Sequence, residues 1–140
     1  DYELKFCTYA RDPKKTTWKG AHASINKKSN ASVWGSVWWL SDTRELDGLE
    51  GVHTDTYLPL VVDVLPSRGH PLRCRTHQVK TSNAECYCLP SPQYMEIMLL
   101  GAEQNGLPGE YISHLKAIIH NNNTENVDEY RMILNLIKKR

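Results

Sequence analysis

One carboxylate in the sequence has the surroundings of a proton carrier. Glu50 lies in the run 46–52, LDGLEGV, between apolar residues and beside a glycine. A carboxylate drawn into apolar surroundings loses hydration, so it can accept and return a proton near neutral pH. A glutamate at a helix end is more often an ordinary surface residue. Glu50 alone therefore leaves the function undetermined.

A second group of chemically active residues is a set of zinc-type ligands, Cys74, His77, Cys86 and Cys88. Structural zinc sites usually pair ligands about two to four residues apart within a turn. Cys74 and His77 differ by three positions on a predicted strand, so their side chains would point to opposite faces. The pattern favours thiols and an ordinary histidine, and we predict no metal site.

The cysteines, which include Cys7 at the start of the chain, could form two disulfides. A chain of 140 residues with an ordinary core does not depend on such bonds. Cys86 and Cys88 would lie on one face of a strand, too close in sequence for an easy mutual bridge. We therefore expect mostly free thiols and a cytoplasmic protein, although glycosylation sequons at Asn30 and Asn122 point weakly toward secretion.

Three other functions have little support. The chain has six histidines, but it lacks a Gly-x-Ser-x-Gly elbow or a comparable signature of a nucleophile. Seventeen basic and sixteen acidic residues give a formal net charge of +1. Dedicated binders of nucleic acid or membrane surfaces carry a clear excess of cations, and no apolar run reaches the roughly 20 residues of a membrane span. We predict no nucleic-acid or membrane partner.

Strand patterns dominate the first half of the chain. Tyr2, Leu4 and Phe6 alternate with polar residues, which is the two-residue period of a half-buried strand. The run 33–40, VWGSVWWL, is β-branched and aromatic and predicts a further strand. These patterns predict strands in the first half of the chain.

A short helix is expected between two groups of strands. Asp42 and Glu45 match a capping box at its start, and Gly51 would end it just after Glu50. The runs 57–65 and 72–79 predict two more strands. Since turn residues separate them, we expect these strands to pair as a hairpin.

The second half has the period of helices. Ser91 is an N-cap followed by a proline at the first helical position, and Gly106 supplies a stop. Pro108 opens a second helix, and the apolar spacing of 127–137 predicts a third. Strands followed by helices indicate an α+β class, and the length fits one domain over residues 1–140.

Several segments, taken in order, resemble the gamma-glutamylcyclotransferase family. They are 33–38 (VWGSVW), 46–52 (LDGLEGV), Tyr57, 90–94 (PSPQY), 101–108 (GAEQNGLP), 110–111 (EY) and 115–118 (LKAI). The match covers nearly the whole chain and is loosest at 4–20 and after 121. No single segment is decisive, but their shared order and spacing make the resemblance specific.

The resemblance implies a fold, a reaction and three site residues. The fold would be a small mixed β-barrel flanked by helices, with the active-site cavity at one end of the barrel. The reaction would convert a gamma-glutamyl amino acid, the small-molecule partner, into 5-oxoproline and the free amino acid. The family's catalytic glutamate falls on Glu50, and two tyrosines that line its pocket fall on Tyr57 and Tyr94. The resemblance implies no metal or organic cofactor and suggests a homodimer.

One family feature is missing from the sequence. The family's Tyr-Gly-Ser-Asn turn, whose backbone cradles the substrate, does not occur in these 140 residues. Because the chain starts at Asp1 rather than Met, we expect the domain to be N-terminally incomplete, with this turn and one barrel strand upstream. The alternative hypothesis is a non-catalytic interaction module that keeps the fold and has lost the reaction.

Overall fold

The described strands lie between residues 2 and 79 with one short helix among them, and the three longer helices follow. The computed structural model describes residues 1–8, 10–50, 52, 56–80 and 88–137. The elements are β1 (Tyr2–Cys7), a 3₁₀ turn (Pro13–Lys15), β2 (His22–Lys27), α1 (Arg44–Leu49), β3 (Tyr57–Val64), β4 (Leu72–Val79), α2 (Pro92–Gln104), α3 (Gly109–Lys116) and α4 (Asp128–Ile137). The predicted α+β class is confirmed.

The strands form two antiparallel pairs. In the first, β1 pairs with β2, and Cys7 lies opposite His22. In the second, β3 pairs with β4, and Tyr57 lies opposite Val79. The second pair is the hairpin that the turn residues predicted. The strand β2 had no clear pattern of its own and was not predicted.

Side chains join the two sheets along a seam between β2 and β4. The Ser24 hydroxyl oxygen accepts a hydrogen bond from the Val79 backbone N–H at 3.1 Å. The Gln78 amide donates to the Ile25 carbonyl at 2.7 Å. These bonds satisfy backbone groups that a continuous ladder would otherwise pair. The seam brings His22, at the start of β2, close to Tyr57, at the start of β3.

The run 33–40 is not a strand, so the expectation there is wrong. It belongs to neither sheet, and the side chains of Trp38 and Trp39 are 72% and 99% exposed. A β-branched and aromatic sequence fits a pleated, half-buried surface, but a strand forms only where another backbone pairs with it. Because the described strands make two small sheets, the described residues form no closed barrel, and this part of the fold prediction is not confirmed.

The start of α1 also differs from its prediction. The helix is present at Arg44–Leu49, but its N-cap is Thr43, whose side chain makes no capping hydrogen bond. The carboxylate of Asp42 lies one residue earlier and accepts from the Arg44 backbone N–H at 2.9 Å. The capping box is therefore wrong, since Asp42 closes a local turn before the helix begins.

The start of α2 agrees with its prediction. The Ser91 hydroxyl oxygen accepts from the Tyr94 backbone N–H at 3.2 Å and caps the helix in front of its proline. Met95, one residue further, is buried against Phe6 and Ala21 in the main core cluster. The two later helices are also present where apolar spacing placed them. Within the described ranges, no helix is long and apolar enough to cross a membrane.

The cysteines divide into two kinds. Cys74 and Cys88 are free thiols, as predicted. Cys7, only 1% exposed at the end of β1, is disulfide-bonded, so the prediction is wrong for this residue. Spacing along the chain does not show which distant thiol tertiary packing brings within bonding distance. Cys86 lies outside the described residues.

Candidate functional site

The C-terminal end of α1 positions Glu50. Glu50 is the C-cap residue, and its backbone N–H donates to the Leu46 carbonyl at 2.9 Å, which completes the last turn. Its side chain is partly buried. The carboxylate is therefore on an ordered helix end and shielded from part of the solvent, as a proton carrier requires.

A clamp of three side chains ties α1 to β4. The carboxylate of Asp47 accepts two hydrogen bonds from the Arg75 Nη2 atom, at 2.7 and 2.9 Å, and lies 2.9 Å from the His77 Nε2 atom. The hydrogen bond with His77, followed by that from Arg75, lowers the pKa of Asp47. Because Asp47 is about one turn before Glu50, the clamp anchors the helix end that carries Glu50.

Tyr94 lies in the first turn of α2, and its pKa is affected by the charge of Glu50. Its hydroxyl oxygen accepts from the Ala23 backbone N–H at 3.0 Å, and its ring meets Trp18 edge to face at a centroid distance of 5.1 Å. Burial raises the pKa of Tyr94, the Ala23 N–H opposes this, and the negative charge of Glu50 raises it further. The negative charge of Glu50 therefore acts on Tyr94, which links two of the three predicted site residues electrostatically.

Tyr57, the third predicted residue, is buried at the start of β3, with 9% of its surface exposed. Its hydroxyl lies 3.1 Å from the Nδ1 atom of His22. His22 also stacks on the ring of Tyr94, with centroids 5.8 Å apart and planes at 15°. Tyr57 and Tyr94 thus converge on a single imidazole.

His22 is the site residue that sequence reasoning missed. One histidine among six carries no signal, and the strand that holds it was itself not predicted. Its side chain is buried, and this burial lowers its pKa, while the charge of Glu129 on α4 acts in the opposite direction. A small-residue run around position 22 was the available hint, since small neighbours let other elements come close.

Gly20, two residues before β2, lets the chain that leads into β2 approach the chain that leads into α2. A Cβ atom on Gly20 would lie 2.4 Å from the Ser91 backbone nitrogen and 2.8 Å from the Pro90 carbonyl carbon. The next residue, Ala21, donates its N–H to the Leu89 carbonyl at 3.0 Å. The start of β2 is therefore pressed directly against the start of α2.

A cavity of about 350 Å³ opens beside this site, between the first sheet and helices α2 and α3. Its lining includes Ala23, whose N–H holds Tyr94, together with Trp34 and His77. Glu50, Tyr57 and Tyr94 do not line it. Among the residues that the structure describes, no three His, Cys, Asp or Glu side chains are grouped to hold a metal ion.

Sequence comparison gives a consistent result. A family model described as the AIG2-like family matches residues 32–115. A human protein named gamma-glutamylcyclotransferase is 38% identical over 141 residues, covering 99% of this chain and 72% of the human one. A bovine protein of the same name is 38% identical over 125 residues, covering 88% of this chain and 64% of its own length. The chain is thus shorter than these relatives.

Comparison with solved structures agrees. A structure titled gamma-glutamyl cyclotransferase matches with a TM-score of 0.85 and 36% identity, covering 100% of this chain and 80% of the other. A crystal structure of a human protein described as uncharacterised matches with a TM-score of 0.84 and 36% identity, over 96% of this chain and 79% of the other. With a family match over more than half its length and close relatives in sequence and fold, the chain belongs to the AIG2-like family, among the gamma-glutamylcyclotransferases.

Proposed function

We propose that this protein converts gamma-glutamyl amino acids into 5-oxoproline and the free amino acid, with Glu50 as general base and then general acid. The observation that carries the proposal is that Tyr57 and Tyr94 converge on one imidazole, and the charge of the partly buried Glu50 carboxylate acts on the pKa of Tyr94. This arrangement supplies one proton carrier and two hydrogen-bonding hydroxyls in a sheltered place.

The reaction balances without water or a redox partner. The α-ammonium group of the substrate first gives one proton to the Glu50 carboxylate. The freed amine then attacks the γ-carbonyl carbon, forming the five-membered lactam as the bond to the leaving amine breaks. Glu50 returns this proton to the leaving nitrogen, then takes the second proton that the ring nitrogen loses as the lactam forms and passes it on, so that the free amino acid leaves with an ammonium group. Holding the glutamyl chain folded for ring closure makes orientation a major part of the catalysis.

The two tyrosines are proposed to bind the glutamyl part of the substrate. Because burial raises the pKa of Tyr94, its phenol keeps its proton at neutral pH. The oxygen of that phenol already accepts from the Ala23 N–H, so its own O–H is directed elsewhere and can donate to a substrate oxygen. The Tyr57 hydroxyl, held by His22, is proposed to make a second contact of this kind.

The direct test is turnover of gamma-glutamyl-alanine by the full-length protein. We expect equal amounts of 5-oxoproline and free alanine, measured by chromatography. The isomer alpha-glutamyl-alanine is the control, since its free γ-carboxylate offers no amide for the amine to attack, and it should not react. Absence of turnover with the gamma isomer would contradict the enzyme and favour the non-catalytic interaction module.

Four structural and cellular features also belong to the proposal: a single domain, closure of the strands into a barrel, a homodimer and a cytoplasmic location.

The disulfide at Cys7 argues against the cytoplasmic location, because such bonds are uncommon in reducing compartments. Peptide mapping of the protein from its own cells, alkylated before reduction, would decide this. Alkylated Cys7 would support the cytoplasm, and a protected Cys7 would contradict it.

A further inference from the structure

The imidazole of His22 is the shared neighbour of both tyrosines proposed to bind substrate. Its Nδ1 atom lies 3.1 Å from the Tyr57 hydroxyl, and its ring stacks on the ring of Tyr94 at 5.8 Å. These contacts use two different properties of histidine, a hydrogen-bonding nitrogen and a flat ring. An apolar residue of similar size would reproduce the stacking and lose the hydrogen bond.

His22 is also held firmly in place. It is only 9% exposed and lies opposite Cys7 in the β1–β2 ladder. One residue further, the Ala23 N–H donates to the hydroxyl of Tyr94, so the backbone of β2 and the ring of His22 grip the same tyrosine. A ring fixed in this way can hold the side chains of both tyrosines in place.

We propose that His22 is a positioning residue of the glutamyl site, which holds the Tyr57 hydroxyl and the Tyr94 ring in the arrangement that ring closure needs. This inference rests on the proposed function of the site. His22 itself moves no proton in the reaction and acts through the two tyrosines. Misplacing groups that orient a substrate by about 1 Å can lower a rate by as much as about a hundredfold.

Two substitutions at position 22 separate the hydrogen bond from the packing. His22→Phe keeps a ring that can stack on Tyr94 and removes the nitrogen that meets Tyr57. His22→Asn removes the ring and keeps a polar atom near the position of Nδ1. We expect His22→Phe to lower kcat about tenfold, with KM changed less, and His22→Asn to recover part of that loss. Unchanged kcat in His22→Phe would overturn the inference.

A double-mutant cycle shows whether His22 acts through Tyr57. Tyr57→Phe removes the same hydrogen bond from the other side, and it also carries the test if His22→Phe fails to fold. We expect the double variant to have nearly the kcat of Tyr57→Phe alone, because the shared bond is already lost. Fully multiplicative losses in the double variant would contradict a role through Tyr57.

The matched control is His70→Phe, since His70 is exposed in the turn between β3 and β4 and should leave kcat unchanged. If the unmodified chain shows no turnover, the proposed function fails, and His22 is then judged by calorimetric binding of gamma-glutamyl-alanine. Binding at least about fivefold weaker in His22→Phe supports positioning of the tyrosines. Equal binding by both proteins, or no binding by either, overturns it.

Discussion

Two regions of the molecule are rich in aromatic residues, but only one of them packs its aromatic side chains. At the junction of β2 and α2, Trp18 and Tyr94 pack edge to face, and Tyr94 stacks on His22. In the run 33–40, by contrast, Trp38 and Trp39 are 72% and 99% exposed. The second region has the stronger strand pattern of the two, yet it is the first that is ordered into a site.

The difference lies in the backbone partners that each region has. The junction is held by long-range bonds, such as the Ala21 N–H to the Leu89 carbonyl at 3.0 Å and the Ala23 N–H to the Tyr94 hydroxyl at 3.0 Å. The run 33–40 enters neither described sheet, although the backbone of Trp34 hydrogen-bonds Tyr111. Aromatic content therefore supplies the apolar surface, and specific backbone contacts decide where it is buried.

The largest loss of stability is expected when a methyl group is added at the junction of β2 and α2, and the same addition in the run 33–40 is its control. Gly20→Ala places a Cβ atom 2.4 Å from the Ser91 nitrogen, and backbone on both sides leaves little room to shift. We expect a loss of about 1–3 kcal/mol in the free energy of unfolding, measured by urea denaturation. Gly35→Ala is the control, because a Cβ there meets nothing within 4 Å. Equal stability of the two variants would break the comparison.

The next largest effect is expected from the clamp of Asp47, Arg75 and His77, which anchors α1 after the run 33–40. Asp47→Asn keeps the shape of the side chain but removes the charge that Arg75 and His77 hold. We expect kcat for gamma-glutamyl-alanine to fall about tenfold, because the helix end that carries Glu50 loses its anchor. Asp63→Asn, at an exposed position on β3, should retain the original rate. A clamp variant as active as this control would show that α1 needs no such anchor.

A smaller effect is expected from acid. Burial lowers the pKa of His22 below its ordinary value of 6.5, so below that pH the unfolded chain binds a proton that the folded chain does not. The free energy of unfolding should therefore decrease as the pH falls from about 6.5 through the lower, folded-state pKa. Urea denaturation at pH 7.5 and 5.5 should show a smaller decrease for His22→Asn than for the original protein. Equal decreases would contradict the account of this buried imidazole.

The smallest change in stability is expected from a substitution in the run 33–40. Trp39→Ser removes a side chain that is 99% exposed, and such substitutions usually change stability by less than about 0.5 kcal/mol. Urea denaturation should give the same midpoint for this variant and the original protein within that limit. A loss above about 1 kcal/mol would mean that the indole is buried in solution, for example by a second copy of the chain.

Local patterns predicted those parts of the fold that are stabilised locally. The β3–β4 hairpin follows from a turn between two strand-forming runs, and α2 follows from the Ser91 cap and its proline. The strand β2 and the run 33–40 were predicted wrongly or not at all. Their structure depends on which distant backbone lies beside them, and propensity contains no information about that.

The residues of the candidate site also divide into those that the sequence predicted and those that only the structure shows. The apolar neighbours of Glu50 pointed to that residue, and the resemblance to a known family added Tyr57 and Tyr94. In the structure, the charge of Glu50 acts on the pKa of Tyr94. His22 and the Asp47 clamp came from the structure, because each depends on contacts between residues about 30 or more positions apart. Such contacts leave no periodic trace in a single sequence.

The central claim is that the carboxylate of residue 50 carries the proton during ring closure, and Glu50→Gln tests it most directly. The amide has the same shape and cannot accept that proton, so release of 5-oxoproline from gamma-glutamyl-alanine should fall at least about a hundredfold. Glu45→Gln, an exposed change on the same helix, should retain the original rate, and both variants should unfold at the same urea concentration. Turnover by Glu50→Gln within a few-fold of the original protein would contradict the claim.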